Sequence, residues 1–126
     1  MSSAAPMREI RPPEMDQHRV AWLTTEDGKG WTTLTRIRFA TDGGKIYTSL
    51  GRESLGFGQV LGRPEVRVSL GKGNRRVRGP EIAGVASVLP EGEISWARHL
   101  MARKYWWLRV PWLWSRESVL VEIELV

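Results

Sequence analysis

A segment rich in hydroxyl groups, glycine and arginine could hold the phosphate of a ligand. Residues 47–54 read Tyr-Thr-Ser-Leu-Gly-Arg-Glu-Ser and run from the end of a predicted strand to the start of a predicted helix. Backbone N–H groups at the start of a helix bind anions, and the helix dipole favours negative charge there. Serine and threonine are also common helix caps, so the same residues could serve only to begin the helix.

Two pairs of arginines have the spacing that places both side chains on one face of a strand. Arg36 and Arg38 form one pair, and Arg76 and Arg78 form the other. Arginine binds phosphate and carboxylate in a bidentate manner, so each pair could grip an anion. The alternative is that each pair covers a solvent-exposed sheet face.

The sequence lacks the side-chain sets of an enzyme that works without a cofactor. It has no cysteine, and its two histidines, His18 and His99, have no carboxylates at a spacing suited to a metal. A nucleophile elbow, a phosphate-binding loop and a dinucleotide fingerprint are absent from the sequence as well. A bound cofactor would therefore supply the chemistry, with Tyr47 and Tyr105 as candidate proton donors or as structural residues.

Composition and charge favour an anionic partner that carries a flat ring. The 126 residues include 19 lysines and arginines against 14 acidic residues, which gives a net charge of +5. Fifteen of these basic residues are arginine, and the seven tryptophans outnumber tyrosine and phenylalanine together. Tryptophan in the core and arginine on sheet faces would give the same composition, so both interpretations stay open.

The periodicities place these residues in one mainly β domain. We expect a flexible tail over residues 1–14 and a single domain over residues 15–126, built as a six-stranded antiparallel barrel with one or two short helices. Strands are predicted over 18–25, 31–40 (with a bulge or change of face near Thr35), 45–50, 66–70, 75–89 and 118–125. Helices are predicted over 51–62, capped by Ser54 or begun at Arg52-Glu53, and over 93–104. Asp27-Gly28 and Gly43-Gly44 predict tight turns between strands, and Pro80 requires a bulge or an edge position in its strand.

The N-terminus lacks an apolar signal region, and no apolar stretch is long enough to cross a bilayer. We therefore expect a cytoplasmic protein.

The order and spacing of several short motifs resemble the pyridoxamine 5'-phosphate oxidase-like split β-barrel superfamily. The motifs are Val-Ala-Trp-Leu-Thr-Thr-x-Asp-Gly from Val20, residues 35–49, residues 63–68 and residues 84–89. The Arg-Lys-Tyr at 103–105, followed by tryptophans, is similar to a branch that uses the deazaflavin coenzyme F420. The resemblance extends from Val20 to the C-terminus.

The resemblance implies a homodimer with two cofactor sites at the subunit interface. It implies an oxidoreductase that transfers hydride between F420, or alternatively FMN, and a small unsaturated organic substrate. A tryptophan-rich segment with Trp106, Trp107, Trp112 and Trp114 would cover the ring or the substrate. The implied cofactor-binding residues are Thr33, Leu34, Thr35, Arg36, Thr48 and Ser49 at the ring, Arg52 and Ser54 at the phosphate, and Arg76 and Arg78 as further contacts.

One position departs from the pattern of this superfamily. Members that bind a cofactor usually carry a phosphate-gripping lysine two residues after the serine, and this chain has Gly56 there. Losing one charge-assisted contact costs about 1.5–3 kcal/mol, unless Arg52, Arg76 or Arg78 compensates.

Two other functions therefore stay open. One is a non-catalytic flavin-, F420- or haem-binding protein on the same fold, with His18 or His99 as the haem ligand. The other is a nucleic-acid binder, because small barrels with exposed arginine and tryptophan can stack bases. Clustering of the tryptophans after the second helix, away from the arginine strands, disfavours the nucleic-acid binder.

Overall fold

A curled antiparallel sheet and two helices make up the fold, seen in a computed structural model that describes residues 18–71, 78–105 and 118–126. The mainly β class and both helices are as predicted, whereas the tail over 1–14 and the tryptophans at 106–114 lie outside the described residues. The elements are β1 (Ala21–Glu26), β2 (Thr32–Ile37), β3 (Phe39–Asp42), β4 (Lys45–Gly51), α1 (Leu55–Gly62), β5 (Glu65–Gly71), β6 (Arg78–Val88), α2 (Glu91–Lys104) and β7 (Ser118–Leu125).

The two edge strands of the sheet are consecutive in the chain. The strand order is β2-β1-β5-β6-β7-β4-β3, and only Arg38 separates β2 from β3. One residue spans less than about 8 Å between the strand ends, so the sheet has to curl until its two edges meet. The result is a half-barrel, which agrees with the predicted split barrel.

Seven strands form the sheet in the described part of the chain, rather than the six predicted. The difference arises because the run predicted as one strand over 31–40 is divided at Arg38. Up to Ile37 the chain pairs with β1, whereas from Phe39 onwards it pairs with β4. A change of pairing partner leaves no mark in the local pattern of side chains.

The bulge or change of face predicted near Thr35 is not found. The pairing of β2 with β1 runs without a shift from Thr32 to Ile37. Leu34 differs in phase from Ile37 and Phe39 because it lies on the outer face, where it is half-buried opposite Thr24.

Both tight turns between β-rich segments join antiparallel strands, as predicted. Gly43 and Gly44 link β3 to β4 with φ angles of 58° and 85°, which glycine adopts without strain. At the β1–β2 turn, a carboxylate oxygen of Asp27 accepts hydrogen bonds from the backbone N–H groups of Lys29, at 2.7 Å, and Trp31, at 3.2 Å. These turns set the register of the strands on either side.

Two apolar clusters hold the sheet in its curved shape. The larger one fills the inner face and includes Leu23, Val68, Ile123 and, from α1, Phe57. In the smaller one α2 packs against the outer face of β3, β4 and β7. Its buried members are Ala40, Tyr47, Leu89, Ala97, Met101 and Leu120.

The corner at Arg38 is held by two buried hydroxyl groups. The hydroxyl of Thr48 donates to the carbonyl oxygen of Arg38 at 2.6 Å. The hydroxyl of Tyr105, which is fully buried just after α2, accepts from the N–H of Phe39 at 3.0 Å and lies 2.6 Å from the carbonyl oxygen of Arg19, to which it donates. The ammonium group of Lys104 lies 3.8 Å from the centre of the Phe39 ring. The end of α2 is thereby tied to the point where the barrel closes.

Replacing Tyr105 with phenylalanine is expected to lower the free energy of unfolding by about 1–3 kcal/mol, because the buried N–H of Phe39 and the carbonyl of Arg19 lose a partner. Urea unfolding measures this change. The matched control is Tyr47→Phe, which removes a hydroxyl whose contact with Glu122 is long, at 3.5 Å. Equal stability of the Tyr105→Phe and wild-type proteins would contradict the role of this hydroxyl.

Candidate functional site

The junction between β4 and α1 contains two of the implied phosphate-binding residues. Ser54 is the N-cap of α1, and its hydroxyl accepts from the N–H of Phe57 at 3.2 Å and lies 2.7 Å from the carbonyl oxygen of Gly51. This confirms the predicted cap. Arg52 is exposed, and in the part of the chain that the structure describes it has no ion pair. Its guanidinium group is thus available to an anion.

Gly56, at the position of the superfamily's lysine, lies in close contact with β2. A Cβ atom added to this buried glycine would come within 2.9 Å of the Thr35 hydroxyl oxygen and 3.9 Å of that of Thr25. Any side chain at this position would force the Thr35 side chain, β2 or α1 to move. The glycine therefore lets the helix approach the sheet, and the space beside it is taken by Thr35.

The four implied site residues on β2 divide between the two faces of the sheet. Thr33 lies opposite Thr25, and Thr35 lies opposite Leu23. Both threonines therefore project from the inner face of the sheet, towards α1. The side chains of Leu34 and Arg36 project from the outer face, because side chains alternate along a strand. A single ligand face therefore does not include all four.

Thr48 and Ser49 also project from opposite faces of β4. The Thr48 side chain is fully buried and donates to the corner carbonyl of Arg38. Ser49 is half-buried opposite Leu120, on the face that α2 covers. In the hydrogen-bonded order of the sheet, four strands separate β4 from β2.

Two implied contacts cannot be placed. Arg76 lies outside the described residues, and of Arg78 only the backbone is described, at the start of β6.

A cleft of about 370 Å³ lies between α1 and the β1–β2 turn. Its lining combines the carboxylates of Asp27 and Glu53 with the side chain of Leu55 and the amide of Gln59, whose oxygen lies 2.6 Å from the Thr25 hydroxyl. Among the described residues that line it, none is basic. Sequence reasoning missed Asp27 and Gln59, because only the packing of α1 against the turn brings these distant positions together.

Neither candidate proton donor faces an open site. Tyr47 is buried against α2, where its ring meets that of Trp96 edge-on at 5.0 Å. Burial raises the pKa of Tyr47, and the nearby Glu122 carboxylate raises it further. The hydroxyl of Tyr105 is engaged in hydrogen bonds with the backbone of Phe39 and Arg19 at the corner. Both tyrosines therefore have a structural role, which was one of the two interpretations.

Within residues 18–71, 78–105 and 118–126, histidine and acidic side chains form no group of three that could hold a metal ion. None of the helices described is long and apolar enough to span a bilayer.

Comparison with known proteins finds matches in structure but not in sequence. No known family profile matches the chain, and no curated protein is significantly similar to it. A candidate pyridoxamine 5'-phosphate oxidase from Listeria innocua has 25% identity and a TM-score of 0.62, over 88% of this chain and 86% of that one.

Two further solved structures cover nearly the whole chain. The haem storage protein HutZ from Vibrio cholerae has a TM-score of 0.74 and 14% identity, over 93% of this chain and 92% of that one. An FAD-binding protein from Mesorhizobium loti has a TM-score of 0.68 and 16% identity, over 98% of this chain and 91% of that one. These likenesses show the split-barrel fold, and the likeness to the Listeria innocua protein supports the superfamily that the motifs resemble. The branch that uses F420 stays a prediction.

Two glycines of α1 give a matched pair of substitutions. Gly56→Ala is expected to lower the free energy of unfolding by up to about 2 kcal/mol, because overpacking against Thr35 exceeds the gain in helix propensity. Gly58→Ala, whose Cβ would meet nothing within 4 Å, is expected to raise it by about 1 kcal/mol. Urea unfolding compares the two, and a rise in the free energy of unfolding for both would show that Gly56 is not closely packed. Adding Thr35→Ala should restore the stability of Gly56→Ala.

Stability is expected to fall at alkaline pH through the cluster of Lys45, Tyr47 and Glu122. The Glu122 carboxylate, 2.8 Å from the Lys45 ammonium group, raises the pKa of Lys45, and burial raises the pKa of Tyr47. Both groups hold their protons more tightly when folded, so their contribution is complete below about pH 10 and is lost as the pH rises through the folded pKa values. Urea unfolding between pH 8 and about pH 11 should show this decline, and Tyr47→Phe should make it shallower.

Proposed function

We propose that the protein binds a redox cofactor of the flavin type, coenzyme F420 or alternatively FMN, and uses it to reduce a small unsaturated organic substrate. The observation that carries this proposal is the split-barrel fold, which it shares over nearly its whole length with a protein described as FAD-binding. The net charge of +5 supports a ligand with an anionic tail.

Among the described residues, Arg52 is suited to bind such an anionic tail, whereas the neighbouring cleft is not. Arg52 precedes the start of α1 by three residues, where the helix dipole also favours negative charge. The neighbouring cleft, which Ser54 also lines, presents Asp27 and Glu53, which would repel a phosphate. The space next to Gly56 is closed by Thr35. We therefore place the tail at Arg52, outside the cleft.

When bound, a reduced deazaflavin or flavin supplies the hydride that is added to an unsaturated substrate, and a proton completes the reduction. The chain itself would bind and orient the cofactor. Because Tyr47 and Tyr105 are buried and engaged, the proton is expected to come from solvent.

The homodimer implied by the resemblance is part of this proposal. Several large apolar side chains are exposed on the single chain, and a subunit interface would cover those of them that lie together in one patch. These side chains are Trp31, Leu55, Leu61, Val85, Val88, Trp96 and Val126.

A second candidate is a cofactor- or haem-binding protein without turnover. It is favoured by the likeness to the haem storage protein and by the lack of an accessible proton donor among the described tyrosines. His18 and His99 are both exposed and could each reach a haem iron. Binding of F420 or FMN without reduction of any conjugated acceptor would favour this candidate.

Titration of the purified protein with F420 and with FMN, followed by ring fluorescence, tests the proposal. We expect saturable binding of one of them, and Arg52→Gln should weaken it about tenfold or more, because a charge-assisted hydrogen bond is lost. Arg103→Gln, an exposed arginine at the end of α2, is the matched control and should leave the affinity unchanged. If neither cofactor changes in fluorescence, the proposed function is wrong.

A further inference from the structure

Four side chains form a row across the outer face of β2, β1, β5 and β6. Arg36 lies opposite Trp22, Trp22 opposite Ser69, and Ser69 opposite Glu81. Directly opposite residues of antiparallel strands have Cβ atoms about 5 Å apart, on the same face. The first three members of the row are therefore neighbours on one face, and their side chains carry a guanidinium group, an indole N–H and a hydroxyl.

The side chains of the two central members of this row are buried and find no hydrogen-bond partner among the residues that the structure describes. Trp22 is 8% exposed and Ser69 is 1% exposed, yet the indole nitrogen of Trp22 and the hydroxyl oxygen of Ser69 are both unsatisfied. Burying such groups without a partner costs about 1–3 kcal/mol each. Because two neighbouring donor groups both lack a hydrogen-bond partner, we expect an acceptor group of a ligand beside them.

The nearby carboxylate does not supply that acceptor. Glu81 is directed to other partners, with one oxygen 3.4 Å from the Thr24 hydroxyl and the other 3.5 Å from the Arg67 guanidinium group. Arg67 in turn also contacts Glu26, at 3.4 Å. The neighbouring charges are thus paired with one another.

Arg36 adds a positive charge at the other end of the row. Its side chain is exposed and, in the described part of the chain, makes neither an ion pair nor a hydrogen bond. An indole N–H can only donate, and a guanidinium group can only donate. A ligand that satisfies both must offer acceptors and preferably negative charge.

We propose that this row is an oxyanion site, in which Arg36, Trp22 and Ser69 donate hydrogen bonds to a carboxylate or phosphate group. The group would lie over β1 and β5, and the long side chain of Arg36 would close over it from β2. Because the two central atoms are shielded from solvent, the entering group has to displace the atoms that shield them. The site lies on a different face from Thr33 and Thr35 and does not depend on the proposed redox function.

The indole N–H resonance of Trp22 in a proton–nitrogen correlation spectrum provides a direct test. Trp22→Phe identifies this resonance by its loss. In the otherwise unchanged protein, we expect inorganic phosphate or acetate to shift it downfield in a saturable manner, and the probe that binds more tightly identifies the phosphate or the carboxylate as the preferred group. Ser69→Ala and Arg36→Gln should each weaken this binding about tenfold or more.

The controls separate this site from a buried water and from general charge effects. Ser87→Ala, at an exposed serine of β6, and Arg103→Gln should leave the affinity unchanged. Thermal unfolding of ligand-free Ser69→Ala should occur at the wild-type temperature or above it, since an unsatisfied buried hydroxyl is removed. The proposal is overturned if neither probe shifts the resonance, if Ser69→Ala binds like the wild type, or if the ligand-free variant is clearly less stable, which would reveal an internal partner of Ser69.

Discussion

A connection of one residue between the two edges of the sheet constrains the whole molecule. Since β2 and β3 are joined only by Arg38, the strands between them have to curve into a half-barrel. Closure brings the backbone of the corner into the interior, where its polar groups need partners. Thr48 from β4 and Tyr105 from the end of α2 supply them. The position of α2 therefore follows from the same constraint that curves the sheet.

Local signals in the sequence were enough to predict most of the elements. Asp27-Gly28 and Gly43-Gly44 marked the turns, and Ser54 marked the start of α1. Pro80 was expected at a bulge or an edge, and in the structure the pairing register shifts beside it, while β7 pairs only with the later part of β6. These features depend on backbone preferences of a few adjacent residues, which the sequence displays directly.

Features that depend on distant partners could not be predicted in the same way. The break at Arg38 reflects a change of neighbouring strand, and the engagement of Tyr105 depends on residues far away in the chain. Gly56 was recognised only as a departure from a resemblance, whereas the structure shows that Thr35 occupies its surroundings. The implied cofactor residues were assigned as one set, although alternation along β2 and β4 distributes them over two faces. The pattern of residues along the sequence therefore predicted the strands better than it predicted which side chains face the same ligand.

The hydroxyl of Tyr105 has a consequence for the order in which the chain folds. It joins the backbone of Arg19 to a residue 86 positions later, so this contact closes a loop that includes most of the protein. Long loops close late, because the entropy of the intervening chain has to be lost first. The hairpins and α1 can form from neighbouring segments, but the hydrogen bonds of Tyr105 at the Arg38 corner can form only after α2 has docked. A ribosome-bound chain that ends before α2 also lacks β7, which pairs with both β6 and β4, so its strands could form only two separate sets, β2-β1-β5-β6 and β4-β3.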